Sequence, residues 1–168
     1  MPRPSIAAGS ANDSAAIATV GLSKRFGSVQ ALADLTLTAP RGSIYGFLGP
    51  NGAGKTTTIR MLLGFARPSA GTARVLGHDA WSDGVAARRD LGYLVAGEAL
   101  YGGMTGAALL DFAADLSGRP PTLRREVLEA LELGRDALRR RLRSYSKGMR
   151  QKLALTAAIQ TDPELLIL

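Results

Sequence analysis

Residues 49–56 read GPNGAGKT, in which Gly49, Gly54, Lys55 and Thr56 satisfy the spacing G-x-x-x-x-G-K-[ST]. Gly49, Gly52 and Gly54, with Pro50, Asn51 and Ala53 between them, let the backbone curl so that successive N–H groups point inward at phosphate oxygens. A helix starting near Lys55 adds the positive end of its dipole to the same place. Lys55 would then reach the β- and γ-phosphates of a nucleoside triphosphate. The Thr56 hydroxyl would hold Mg²⁺, and Thr57 would donate to the α-phosphate. The loop leaves open which nucleotide is bound and what its energy is used for.

The context expected of such a loop is a buried strand before it and a helix after it. The nearly continuous apolar run IYGFLG before it predicts a strand covered on both faces. After it, KTTTIRMLLGF places Ile59, Leu62 and Leu63 on one helical face, with Gly64 closing the helix. Upstream, AIATVGLSKRF and LADLTLTAP predict two strands. Downstream, RPSAGTARVLG carries a turn over 68–71 and a strand through Val75, and LGYLV predicts another short strand. From there helices dominate. TGAALLDFAADLSG and TLRREVLEALELG both end in glycine, and Leu123, Val127, Leu128 and Leu131 share helical spacing in the second. YSKGMRQKLALTAAIQ predicts a helix capped by Ser146, with Met149, Leu153, Ala157 and Ile159 as its apolar side. TDPELLIL then predicts a loop and a buried strand. Together these elements make an α/β fold with a helical insertion at about 97–144.

The 168 residues carry no cysteine, which excludes disulfides and thiolate metal sites. No apolar run approaches the roughly 20 residues of a membrane helix, and the first sixteen residues lack the apolar centre of a secretory signal. A soluble protein with a loose tail over 1–16 is the expectation. The formal net charge is +7. Much of it falls in Arg135, Arg139, Arg140, Arg141, Arg143, Lys147, Arg150 and Lys152, opposed only by Asp136. With no aromatic residues interleaved for base stacking, the stretch is expected to be a solvated basic face, and no specific nucleic-acid partner is expected. His78, the one histidine, lies in the turn LGHDA and is expected to be a surface residue.

From about Ala18 onward the sequence resembles the ATP-binding cassette (ABC) ATPases, for reasons beyond the loop. LSKRFG is similar to the first-strand segment whose aromatic residue stacks on adenine in that family, here Phe26. SKGMRQKLALTAAI resembles the signature that opens a helix towards the γ-phosphate of ATP held by a partner domain. Ser146 and Gly148 match its serine and second glycine, while Tyr145, Lys147 and Met149 depart from the common pattern. A helix start with a serine hydroxyl and a glycine still suits an anion, and Lys147 adds charge. The resemblance implies a P-loop NTPase core of ABC type, a mixed sheet with flanking helices, over 17–96 and 145–168, with the insertion between. It also implies ATP and Mg²⁺ as ligands, a homodimer that sandwiches two ATP molecules, and a membrane-spanning partner at the inner face of the membrane. The motif variants are similar to those of exporters.

Two departures bear on activity. The family commonly places a Mg²⁺-sensing glutamine after the strand at LGYLV, where this sequence has Ala96; Glu98 is a substitute if the loop shifts. The family's catalytic carboxylates follow a strand like ELLIL, so the chain is expected to be incomplete at its C-terminus and to bind ATP without turning it over. No catalytic residue is assigned within it. The alternatives are a soluble ABC-type ATPase acting on ribosomes or DNA, and a non-functional gene fragment.

Overall fold

The structure, a computed structural model, describes residues 15–94 and 103–168. Two compact units divide the chain, one ending at Asp90 and the other running from Leu91 to Leu168. In the first, β1 (Ala15–Phe26) and β2 (Val29–Pro40) form a hairpin, followed by α1 (Lys55–Leu62), β3 (Ala70–Val75), β4 (His78–Asp79) and α2 (Gly84–Arg89). The antiparallel sheet has the order β2-β1-β3-β4. Leu22, Ala73 and Val75 from its strands are buried, as are Met61 and Leu62 from α1 and Leu63 at its C-cap. Thr58, with Met61 and Leu62 one helical turn later, forms the buried face of α1, which meets β2 and β3.

The long hairpin is bent rather than flat. Register shifts interrupt β1 between Thr19 and Leu22 on the β2 side and between Val20 and Ser23 on the β3 side. Gly71, at φ 74°, sits there because a Cβ would collide with the Gly21 carbonyl. The buried Thr19 hydroxyl spans the gap, donating to the Leu35 carbonyl at 3.0 Å and accepting from the Leu37 N–H at 3.1 Å.

Two expectations need correction here. The tail expected over 1–16 does not include 15–16, since Ala15 and Ala16 belong to β1 and are buried. Residues 1–14 lie outside the described residues. The strand expected at IYGFLG does not form: residues 43–50 are irregular, and Ile44 and Leu48 are exposed. An apolar run shows that a segment suits two covered faces, but a strand also needs neighbours for its N–H and C=O groups. No described strand pairs with this segment.

In the second unit, β5 (Leu91–Tyr93) pairs in parallel with β6 (Leu165–Ile167). Between them come α3 (Gly106–Ser117), α4 (Arg124–Ala130), α5 (Arg135–Arg139), a 3₁₀ turn (Leu142–Ser144) and α6 (Lys147–Ile159). Leu109, Leu110, Leu133, Leu142, Tyr145 and Leu153 form its core. Gln160 is buried and joins three helices. Its amide donates to the Leu110 carbonyl at 2.8 Å, while its Oε1 and backbone carbonyl accept from Arg124 Nε and the Leu123 N–H. β6, expected to be buried, is half-buried throughout, and β5 is its one partner strand among the described residues.

Candidate functional site

The turn 49–54 is built by glycine conformation. Gly52 and Gly54 both hold φ 84°, a left-handed value that side-chain-bearing residues rarely adopt. The Ala53 N–H closes the turn on the Pro50 carbonyl at 3.2 Å. Gly54 also lies hard against β2, where a Cβ would come within 2.8 Å of the Ala31 carbonyl. Thr58 is buried beneath, its hydroxyl donating to the Gly54 carbonyl at 3.0 Å. Two left-handed glycines therefore bring the chain into α1 with free N–H groups at its first turn.

Lys55 folds back over this turn. Its ammonium donates to the Gly49 carbonyl at 2.6 Å and the Pro50 carbonyl at 2.8 Å. The cation is thereby held at the mouth of the loop by two neutral acceptors. Asn51, Gly52 and Ala53 are exposed around it, and so is Thr56. These groups fit a polyphosphate and its magnesium ion: the backbone of a glycine turn at a helix start, an ammonium held by neutral acceptors, and an exposed hydroxyl.

Phe26 ends β1 at the hairpin tip, paired with Val29. It is half exposed, and β2 runs from there directly to Ala31 and Leu32, against which Gly54 packs. The expected adenine-stacking ring, on β1, and the phosphate loop, against β2, therefore lie in one unit on the two strands of one hairpin. Lys24, which sequence reasoning left unassigned, has its ammonium 4.8 Å from the Phe26 ring centroid.

The second unit presents its own helix start. Ser146 has the extended backbone of an N-cap, and its Oγ accepts from the Met149 N–H at 3.2 Å. Ser146, Lys147 and Gly148 are all exposed, so the first turn of α6 is open to an anion. Tyr145 fixes that turn from behind. It is buried, its hydroxyl donates to the Ala137 carbonyl at 2.6 Å, and Gly106 leaves the space it fills. Burial pushes its phenol up, with the Arg140 charge pulling the other way.

Other candidates fall elsewhere. His78 is exposed, and its Nδ1 lies 2.8 Å from Asp83, a partner five residues on that a search for local motifs overlooks. Asp79 accepts from the Ser82 and Trp81 N–H groups and the Ser82 hydroxyl, and the Ser82 N–H above all holds its carboxyl below the usual range. Arg135, Arg139, Arg140, Arg141 and Arg143 are exposed. Ala96 and Glu98 lie outside the described residues. Among the described residues no cluster of His, Asp and Glu could hold a metal, and no helix is long and apolar enough to cross a membrane.

A glycine turn feeding a helix in an α/β framework defines the P-loop NTPase class. A family described as ABC transporter matches residues 32–168, and the chain belongs to it. The daunorubicin/doxorubicin resistance ATP-binding protein DrrA of Streptomyces peucetius is 42% identical over 157 residues, covering 91% of this chain and 47% of DrrA. The bacitracin transport ATP-binding protein BcrA of Bacillus licheniformis is 37% identical, covering 90% of this chain and 50% of BcrA. The chain thus spans about half the length of the curated relatives it matches. A solved ATP-binding subunit of an ABC transporter superposes with a TM-score of 0.81 at 27% identity, covering 89% of this chain and 64% of that one.

Proposed function

We propose that the chain is the ATP-binding part of an ABC transporter's nucleotide-binding subunit, in the 17–96 and 145–168 core with its insertion at about 97–144. Gly49, Pro50, Asn51, Gly52, Ala53 and Gly54 cradle the phosphates. Lys55 bridges the β- and γ-phosphates, Thr56 ligates Mg²⁺, Thr57 contacts the α-phosphate, and Phe26 stacks on adenine. Ser146, Lys147 and Gly148 face the γ-phosphate of an ATP held by a second copy. In the whole protein, closure of two copies drives a membrane-spanning subunit from its cytoplasmic side. The names of the relatives favour export of amphipathic drug-like compounds.

The observation that carries this proposal is the Lys55 ammonium held over two left-handed glycines by two loop carbonyls. A triphosphate would replace those carbonyls with charged oxygens, a stronger acceptor for the same donor. Equilibrium titration with ATP and Mg²⁺ tests it. Lys55→Ala should weaken binding at least about tenfold, the usual cost of losing a charged hydrogen bond. ATP binding that is indifferent to Lys55 would refute the assignment.

A further inference from the structure

Lys24 lies two residues before Phe26, so both side chains leave the same face of β1. The 4.8 Å from its ammonium to the ring centroid is inside the roughly 6 Å over which a cation is drawn to an aromatic face. That ammonium also donates a 2.7 Å hydrogen bond to the Arg67 carbonyl, which fixes it to backbone near the start of β3. Arg25, between the two, is engaged elsewhere: its Nε donates to Gln30 Oε1 at 3.2 Å and its N–H to Ser69 Oγ at 3.0 Å. Phe26 nevertheless remains 50% exposed. One cation is therefore anchored against a ring that still has open surface.

We propose that Lys24 is a positioning residue for the nucleobase, holding one face of Phe26 so that the other is presented to a purine. This rests on the reading of Phe26 as the adenine-stacking ring. Two effects act together. The anchored ammonium restricts the rotation of an otherwise half-exposed side chain, so less freedom is lost when a base stacks on it. It also draws π density from the ring, and an electron-poor ring stacks better against an electron-rich purine. Because the ammonium is held by the Arg67 carbonyl and the ring, its influence acts through Phe26 and not through contact with phosphate.

The test compares ATP with inorganic tripolyphosphate, each titrated with Mg²⁺ into the wild type and into Phe26→Ala, Lys24→Met, Lys24→Gln and Lys24→Arg. Lys24→Gln keeps a donor for the Arg67 carbonyl without the charge, so it stands in if Lys24→Met does not fold. The uncharged variants should weaken ATP about two- to fivefold, leave tripolyphosphate unchanged, and be rescued largely by Lys24→Arg. Phe26→Ala should weaken ATP more than either. If Phe26→Ala leaves ATP affinity intact, the stacking reading falls and this proposal with it. If only Phe26→Ala matters, stacking stands and the role of Lys24 is overturned. Equal weakening of ATP and tripolyphosphate by the Lys24 variants also overturns it, since the lysine would then act as a charge on phosphate.

Discussion

At the scale of single residues, the site depends on backbone conformation and packing as well as on ligand contacts. Gly54 combines φ 84° with a Cβ position 2.8 Å from the Ala31 carbonyl, so Gly54→Val is doubly disfavoured. We expect that variant to lower the thermal midpoint and to abolish ATP binding, both read in one melting series with and without nucleotide. Tyr145 makes a different demand, because its hydroxyl secures the residue just before the Ser146 cap. Tyr145→Phe should cost about 1 kcal/mol in a denaturant titration, the net worth of one hydrogen bond. Its raised phenol sets a pH dependence. The fold favours the neutral form, so this contribution is whole below the ordinary tyrosine pKa of about 10 and declines as pH rises through that value towards the higher folded one. Tyr145→Phe should remove that alkaline component of the stability profile.

At the scale of elements, helices are held by their ends and by one buried amide. Ser146→Ala removes the cap that accepts from the Met149 N–H and should destabilise the second unit by about 1 kcal/mol. Gln160→Ala should cost more, about 1–3 kcal/mol in the same titration, because it leaves interior polar groups of α3 and α4 without their partner. The contrast shows what was legible beforehand. Ser146 was readable because a cap is a local rule of residue type and position. Gln160 was not, since its partners at Leu110, Leu123 and Arg124 are brought to it only by tertiary packing. Lys24 was hidden for a related reason: its link to Arg67 crosses from β1 to the segment before β3. In the glycine loop the left-handed turns at Gly52 and Gly54 answer a local backbone rule, whereas the close approach of Gly54 to Ala31 is set by tertiary packing. The segment before the loop was misread as a strand because apolar periodicity reports burial and carries no information about which strands lie alongside.

At the scale of the whole molecule, two helix starts suit an anion, α1 behind its glycine turn in the first unit and α6 behind Ser146 in the second. The net charge of +7 favours polyanions in general, so binding must be shown to be local before it counts as recognition. Membership of the ABC transporter family over 32–168 gives the expected ligand, and the loop gives the expected place. Hydrogen exchange of the amides, measured with and without ATP and Mg²⁺, tests the two together. ATP should slow exchange most at 49–58, with a smaller effect at the hairpin tip around Phe26, and Lys55→Ala should erase both. Slowing spread over the arginines at 135–143, or persisting in Lys55→Ala, would contradict a nucleotide site at this loop.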